Sequence, residues 1–297
     1  MDFYSVVQLF ISGISLGAVY ALIAVGFAIV YSIMKFSNFA HGGMISACAY
    51  IGYFFQNAFE TPPPFFVTVL FAALCGIVMA LCVDTVAYSR IRKKQAPNLY
   101  YFLASITVAI LIEQILSVFF GKNLYGYPAI FKSTTFNIGA FRFSSVDTLI
   151  MIVSLAILGV LIFVINKTKL GLAIRTVAIS PSASRLMGIN SNRVIMTVFV
   201  IAGALAGISG VLLGTKYSVY PSLGPSMMIK GFIASVIGGL GSLGGAISAA
   251  IILGVVEIFL TYWIGSLASP IVLFGGMLLF LAIRPEGLAG RFAKDKV

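Results

Sequence analysis

The only histidine of the chain, His41, lies in the stretch FAHGG, directly before Gly42 and Gly43. An imidazole can serve as a general base, a metal ligand or a hydrogen-bonding group. Because the segment holds no second histidine, no nearby cysteine and no carboxylate, we expect neither catalysis nor a metal site. If a helix begins near Gly42, its free N–H groups, together with Asn38 and His41, suit a carboxylate ligand. A capping or packing role for His41 is the competing interpretation.

The double glycine occurs twice in similar surroundings. GGMISA at 42–47 and GGAISA at 244–249 match at five of six positions, and each follows a Gly-, Ser- or Asn-containing break in an apolar run. Transporters built from internal repeats carry interrupted helices at corresponding positions, with the substrate between them. Chance similarity of common membrane residues is the alternative. The predicted substrate pathway comprises Asn38, His41, Gly42, Gly43, Gly241, Gly244 and Gly245.

Three ionisable residues lie within apolar runs: Glu113, Lys230 and Glu257. Charged groups at membrane depth are costly, and they usually face the interior or pair with each other. A proton-coupled carrier would use such a carboxylate for transport. Alternatively, Glu257 and Lys230 form a structural pair. The sequence leaves both interpretations open.

No enzyme motif is present in the sequence. It lacks a G-x-S-x-G elbow, an H-E-x-x-H pair and a G-x-x-x-x-G-K-[ST] phosphate loop. We therefore expect a chain without catalytic residues and without a cofactor of its own. If transport is driven by ATP, a separate subunit must bind the nucleotide.

The elements that position these residues are membrane helices. Apolar residues make up 60% of the 297 residues and charged residues 9%, and the apolar runs are long enough to cross a bilayer. The sequence predicts a single all-α polytopic membrane domain over residues 1–297, with eight or nine transmembrane helices, broken or re-entrant segments and an internal repeat. The predicted spans are roughly 6–34, 43–59, 64–88, 99–120, 147–165, 194–214, 226–240, 244–264 and 269–284, of which 226–240 is short enough to be re-entrant.

Basic residues cluster between the spans. The net charge of +11 is concentrated in SRIRKKQ (89–95), in the loop 166–193 and in the tail from Arg284. This distribution is typical of cytoplasmic loops under the positive-inside rule. Nucleic-acid binding would need a continuous basic face with aromatic platforms, and the sequence has none. We expect the lipid bilayer, rather than a nucleic acid, to surround this chain.

The loop 166–193 has a defined internal pattern. An apolar helical stretch beginning at Leu170 ends at Ser180–Pro181, where Ser180 suits the N-cap and Pro181 the first turn of a second helix. Gly188 then suits a helix stop. Beyond the loop, Gly203, Gly207, Gly210 and Gly214 form G-x-x-x-G pairs that let helices approach closely.

The loop GLAIRTVAISPSASRLMGIN and the following FVIAGALAGISGVLLG resemble the cytoplasmic loop and next span of bacterial branched-chain amino acid ABC transporter permeases. The early SLGAVYALIAVGFAIVYSI and NFAHGG, and the late GFIASVIGGLGSLGGAISA and RPEGLAG, are similar to the same family in the same order. The resemblance extends over nearly the whole chain. It is greatest to the H-type permease subunit.

The resemblance implies a permease subunit of an ATP-driven importer in the bacterial inner membrane. It implies as partners ATP-binding cassette subunits, a second permease subunit and a periplasmic binding protein that delivers leucine, isoleucine or valine. The residues implied in coupling to the ATPase are Gly171, Arg175, Pro181 and Gly188. Two alternatives remain: a permease of the same type for urea or short amides, and an ion-coupled carrier that uses Glu113 or Glu257.

Overall fold

The computed structural model describes residues 3–128, 135–138, 141–284 and 287–288. The described residues form helices, one π-helical turn and two short strands. The helices are α1 (Phe3–Met34), α2 (Ala40–Asn57), α3 (Phe65–Val83), α4 (Ser89–Lys93), α5 (Asn98–Phe120), α6 (Ser145–Lys167), α7 (Lys169–Ile179), α8 (Pro181–Leu186), α9 (Ser191–Lys216), α10 (Leu223–Gly238) and α11 (Leu243–Ile283). The π-helical turn Asp84–Tyr88 joins α3 to α4, and the strands are β1 (Thr135–Ile138) and β2 (Phe141–Ser144).

Six of the described helical segments are long and apolar enough to cross a membrane. One of them is the continuous segment Phe65–Lys93, which combines α3, the π-helical turn and α4. The other five are α1, α5, α6, α9 and α11. Their bounds follow the predicted apolar runs to within a few residues. The multi-pass helical class is therefore confirmed, whereas the count of eight or nine spans stays a prediction.

Helix α11 is interrupted at Gly265, whose backbone is non-helical (φ 84°, ψ 164°). The two halves contact each other beside the interruption, since Ser269 Oγ donates a hydrogen bond of 3.3 Å to the carbonyl oxygen of Glu257. Thr261 Oγ1 donates a second bond of 3.1 Å to Ser269 Oγ. The interruption falls between the predicted spans 244–264 and 269–284.

Helix α1 lies at the centre of the bundle. In its most apolar 18-residue window 94% of the residues are buried, against 11% in the window of α5 at the periphery. Glycines bring α11 close to α1. A Cβ atom added to Gly17 would lie 2.6 Å from the Cα atom of Ile251, and one added to Gly13 would lie 2.6 Å from the Cα atom of Val255. This close backbone approach allows α1 to form the core around which the other helices pack.

The G-x-x-x-G pairs of α9 form its contacts with α3 and α2. A Cβ atom on Gly203 would overlap the carbonyl oxygen of Gly76, and one on Gly207 would overlap the backbone of Ala72. One on Gly210 would lie 2.9 Å from the amide nitrogen of Ala49 on α2. The predicted close approach is thus confirmed for these glycines.

The strands β1 and β2 form an antiparallel pair with Thr135 opposite Ser144 and Ile138 opposite Phe141. This small hairpin, which the sequence did not predict, precedes α6. Tyr125 and Val219 exchange two backbone hydrogen bonds of 3.0 and 2.7 Å. These bonds tie the segment that follows α5 to the segment that follows α9.

Candidate translocation and coupling sites

The first predicted break lies between α1 and α2. Helix α1 ends at Met34, and Lys35 has a positive φ of 55°. The chain then runs without helical structure to Ala40. The Tyr88 hydroxyl donates a hydrogen bond of 2.7 Å to Oδ1 of the buried Asn38. Ser105 Oγ accepts one of 3.2 Å from the Phe39 amide. These side chains hold the interrupted backbone in place.

His41 is fully buried in this conformation. A Cβ atom added to Gly26 of α1 would lie 2.7 Å from Nε2 of the imidazole, so the ring packs directly on that glycine. Neither ring nitrogen has a hydrogen-bond partner among the described residues, and neither has Nδ2 of Asn38. Leaving buried polar atoms unpaired is costly. The first break therefore concentrates unpaired polar groups at one place inside the bundle.

Gly42 and Gly43 allow two other helices to pack against the first turn of α2. A Cβ atom on Gly42 would lie 2.9 Å from Cβ of Met228 and 3.1 Å from Cα of Pro225, both on α10. One on Gly43 would lie 3.2 Å from Cα of Ala109 on α5. The amide of Gly224 also donates a hydrogen bond of 2.7 Å to Ser46 Oγ. The double glycine is thus a junction of α2, α5 and α10.

The second predicted break separates α10 from α11. Gly239 and Gly241 have positive φ values of 99° and 88°, a conformation that glycine adopts at little cost. Ser242 caps α11, because its Oγ accepts a hydrogen bond of 3.2 Å from the amide of Gly245. A Cβ atom on Gly244 would meet no described atom within 4 Å. Both predicted breaks are confirmed as interruptions of helix.

The segment after α11 returns to the second break. The amide of Leu288 donates a hydrogen bond of 2.6 Å to the carbonyl oxygen of Ile237, in the last turn of α10. Gly287 has a positive φ of 73°, and a Cβ atom there would lie 2.7 Å from the carbonyl oxygens of Val236 and Ile237. This contact satisfies one of the carbonyl groups that a helix end leaves unpaired.

A cleft of about 460 Å³ opens beside the second break. Ile29 and Ser32 of α1 line one side, and Arg175 of α7 lines another. Gly241 and Gly244 also face it. The cleft thus brings two of the predicted pathway glycines together with a predicted coupling residue.

The second break approaches the start of the first break rather than its end. Gly241 lies near Ser32, three residues before Lys35, whereas His41 packs on Gly26, six residues earlier in α1. Helix α10 connects the two regions, because Gly224 near its start packs on Gly42 and Gly238 at its end packs on Gly245. Both breaks therefore contact one short helix.

The coupling segment has the capping pattern that the sequence predicts. Thr168 caps α7 by accepting a hydrogen bond of 3.3 Å from the Gly171 amide. Ser180 caps α8 by accepting one of 3.2 Å from the Ala183 amide, with Pro181 in the first turn. Gly188 follows α8 with a φ of 79°. A Cβ atom on Gly171 would overlap the Ile165 carbonyl, so only glycine lets α7 turn back against α6.

Helices α7 and α8 have one face packed against the bundle and one exposed face. Ile174 and Val177 are buried against the bundle. On the open side, apolar residues remain exposed, and the exposed fractions of Ile179 and Leu186 are 87% and 91%. Exposed apolar patches of this kind mark contact sites for other proteins or for membranes.

Lys230 and Glu257 form the pair that the sequence left as one alternative. Lys230 Nζ contacts Oε1 of Glu257 and donates a hydrogen bond of 2.9 Å to the Tyr20 hydroxyl. That hydroxyl in turn donates one of 3.0 Å to Oε2 of Glu257. The three side chains join α10, α11 and α1 inside the bundle. Sequence reasoning missed Tyr20, because no charge or break marks it in α1.

Broken helices around a buried junction, joined to an amphipathic segment outside the bundle, define a multi-pass membrane permease. Residues 9–282 match the family model described as branched-chain amino acid transport system / permease component. The chain belongs to this family of ABC transporter permeases, whose members do not themselves hydrolyse ATP.

Curated relatives support the assignment over the full length. The high-affinity branched-chain amino acid transport system permease protein BraD of Pseudomonas aeruginosa is 31% identical, over 100% of this chain and 99% of its own. The corresponding LivH of Salmonella typhimurium is 32% identical over 99% and 98%. A probable LivH of Methanocaldococcus jannaschii is 27% identical over 91% and 88%.

Proposed function

We propose that this chain is the permease subunit of an ATP-driven importer that carries branched-chain amino acids across the bacterial inner membrane. The observation that carries the proposal is the full-length similarity to BraD and LivH, whose names state that transport. The chain itself has no phosphate-binding loop in its sequence. The energy therefore comes from separate ATP-binding cassette subunits, and a second permease subunit and a periplasmic binding protein complete the importer.

The proposed topology has nine crossings and treats the chain as one permease domain. Helices α2 and α10 and each half of α11 cross the membrane beside the other spans. Helices α2 and α10 can be shorter and less apolar than the other spans, because they lie inside the bundle and are surrounded by protein rather than lipid. The basic segments 89–95 and 166–193 then lie in the cytoplasm, as the positive-inside rule requires.

The proposed coupling surface is the open side of α7 and α8. A docked ATPase subunit covers the exposed Leu172, Ile179 and Leu186, and its movement acts on α7 through Arg175. The α7 helix lines the same cleft as Gly241 and Gly244. A displacement of α7 is therefore passed to the second break.

The proposed pathway lies beside the two breaks. Gly245 contacts the C-terminal end of α10, and Gly42 contacts its N-terminal end. Helix α10 therefore transmits movement from the second break to the first. When α10 shifts, the unpaired polar atoms of Asn38 and His41 become accessible to substrate. The match between GGMISA and GGAISA is then a pair of corresponding hinges in an internal repeat.

The test is transport by the reconstituted complex. The chain is purified together with a second permease subunit and ATPase subunits from the same organism, and is placed in proteoliposomes with the binding protein. We expect ATP-dependent uptake of labelled leucine, isoleucine and valine, and no uptake with an ATPase subunit that cannot hydrolyse ATP. Uptake of urea or acetamide but not of leucine would reassign the substrate. Uptake driven by a proton gradient without ATP would contradict the proposal.

A further inference from the structure

Glu113 is an unusual residue for a membrane-spanning helix. It lies in α5, sixteen positions into a helix of 23 residues, and its side chain is partly exposed. It has no hydrogen bond or ion pair with any residue that the structure describes. By contrast, Lys230 and Tyr20 hold Glu257, and Arg92 pairs with Asp84. Glu113 is therefore a partly exposed carboxylate on the peripheral helix α5, and the described residues give it no polar partner.

Helical spacing places Glu113 on a definite side of α5. Residues 102, 106, 109 and 113 follow one another at intervals of four, three and four, so they form one stripe. Phe102 of this stripe packs edge-on against Phe39 in the first break, with ring centroids 5.9 Å apart. The stripe of α5 that carries Glu113 therefore contacts the first break at its other end, through Phe102.

Helix α10 presents a matching stripe from the other side. Its residues 225, 229, 232 and 236 are spaced in the same way. Phe232 of this stripe packs against the same Phe39, with ring centroids 5.5 Å apart. Ile229 is 46% exposed, so this face of α10 is open. The two stripes thus share a contact with Phe39, and the space between them is called the trough below.

The contacts of Gly42 and Gly43 show which residues of α5 and α10 lie at the same depth in the bundle. Gly43 packs on Ile112, the residue before Glu113, and Gly42 packs on Pro225. Since Gly42 and Gly43 are neighbours in one helical turn, Glu113 and Pro225 lie at a similar depth. Glu113 therefore lies at about the depth of the first turn of α2 and of the first turn of α10.

An ionised carboxylate at this depth cannot face hydrocarbon without a large cost, so it lies in a water-filled conduit or beside a cation. A trough with a carboxylate on one wall and Ile229 and Phe232 on the other is complementary to a small molecule with an ammonium group and an aliphatic side chain. An aliphatic amino acid has both features. Urea and short amides carry no ammonium group.

We propose that the trough between α5 and α10 is a substrate-binding site of the permease, in which the Glu113 carboxylate pairs with the α-ammonium group of an aliphatic amino acid. Ile229 and Phe232 contact the aliphatic side chain. This inference rests on the proposed function and names the residue that recognises the substrate charge. It also assigns Glu113 a role in binding rather than in proton coupling.

The test compares three variants of the reconstituted importer. Glu113→Gln removes the charge, and Glu113→Asp keeps it on a shorter side chain. The double variant Glu113→Gln/Gln114→Glu retains the composition but moves the carboxylate about 100° around the helix. Leucine uptake is measured at saturating loaded binding protein, with ATP hydrolysis, complex assembly and melting temperature recorded for each variant.

We expect Glu113→Gln to reduce leucine uptake roughly ten- to hundredfold, the loss expected for one hydrogen bond to a charged group. The complex still assembles, and its melting temperature stays at the wild-type value. The relocated carboxylate shows the same loss, whereas Glu113→Asp retains part of the uptake. Wild-type uptake by Glu113→Gln would overturn this inference while leaving the proposed function intact. Dissociation of the complex in Glu113→Gln would also overturn it, since the carboxylate would then pair with a cation on a partner.

If the wild-type importer carries urea and not leucine, the proposed function itself fails. In that case an unchanged uptake of urea by Glu113→Gln would show that the carboxylate has no part in binding a neutral substrate.

Discussion

The Tyr88 hydroxyl lies 2.7 Å from Oδ1 of Asn38 and donates a buried hydrogen bond to it. This bond joins the π-helical turn after α3 to the interruption before α2. Because Nδ2 of the same amide has no partner among the described residues, Tyr88 is the polar anchor of the Asn38 side chain. The bond therefore helps to set the geometry of the first break.

Tyr88→Phe should destabilise the permease by about 1–3 kcal/mol, because it leaves a buried amide oxygen without its donor. Thermal unfolding of the purified protein in detergent measures the change. Tyr101→Phe is the matched control, since Tyr101 is also buried and stacks on Phe36 at 5.1 Å. Its hydroxyl makes no hydrogen bond within the described part of the chain. Equal effects of the two variants would refute the anchoring role.

Gly188→Val should abolish leucine uptake while the complex still assembles. The φ of 79° at Gly188 is strained for a β-branched residue, although a Cβ atom there would meet no described atom within 4 Å. The strain would alter the turn after α8 without a clash. Pull-down of the ATPase subunits checks assembly, and proteoliposome uptake checks function.

Gly188→Asn is the control for this prediction, because asparagine tolerates a positive φ better than other non-glycine residues. It should retain most of the uptake. Normal uptake by Gly188→Val would mean that the turn has no part in coupling.

The Lys230–Glu257 pair should behave as a coupled unit. Lys230→Met or Glu257→Leu alone should cost about 3–5 kcal/mol, because each leaves a buried charge without its partner. The double variant should cost clearly less than the sum of the two single variants. Denaturation of all four proteins completes the double-mutant cycle. Strict additivity would indicate that the two charges do not interact in the membrane.

Gly203→Ala should destabilise the bundle by about 1–3 kcal/mol, as expected for overpacking of a close contact. The added methyl group would overlap the carbonyl oxygen of Gly76 and force α3 away from α9. Gly275→Ala is the matched control, because a Cβ atom there meets no described atom within 4 Å. It should be neutral or slightly stabilising, since alanine favours helix over glycine. Melting temperatures of the two variants should therefore change in opposite directions or differ by several degrees.

Apolar periodicity and the capping signals predicted much of this structure from the sequence. The runs fixed the helix bounds to within a few residues, because a helix in a membrane must satisfy its backbone internally and span a set thickness. Ser180, Pro181 and Gly188 carry local backbone preferences, and they occupy the predicted positions. The two glycine-containing breaks were found for the same reason.

Tertiary relations could not be read from the sequence. Nothing in α1 distinguishes Tyr20, the partner of Lys230 and Glu257, from other residues of an apolar run. The meeting of Gly241 with Arg175 in one cleft depends on how α7 turns back along α6. The prediction that one pathway is formed by Asn38, His41, Gly42, Gly43, Gly241, Gly244 and Gly245 stays a prediction, because Gly42 and Gly245 contact α10 near its opposite ends.

The hydrogen bond from the Leu288 amide to the Ile237 carbonyl ties the segment after α11 to the end of α10. A stop codon directly after Ile283 would remove the segment that contacts the C-terminal end of α10. A fluorescent protein inserted at that point would displace it. Such a shortened protein would keep the membrane-spanning helices that the structure describes, yet the last turn of α10 would lose this hydrogen bond. Purification tags should therefore not replace the segment that contains Leu288.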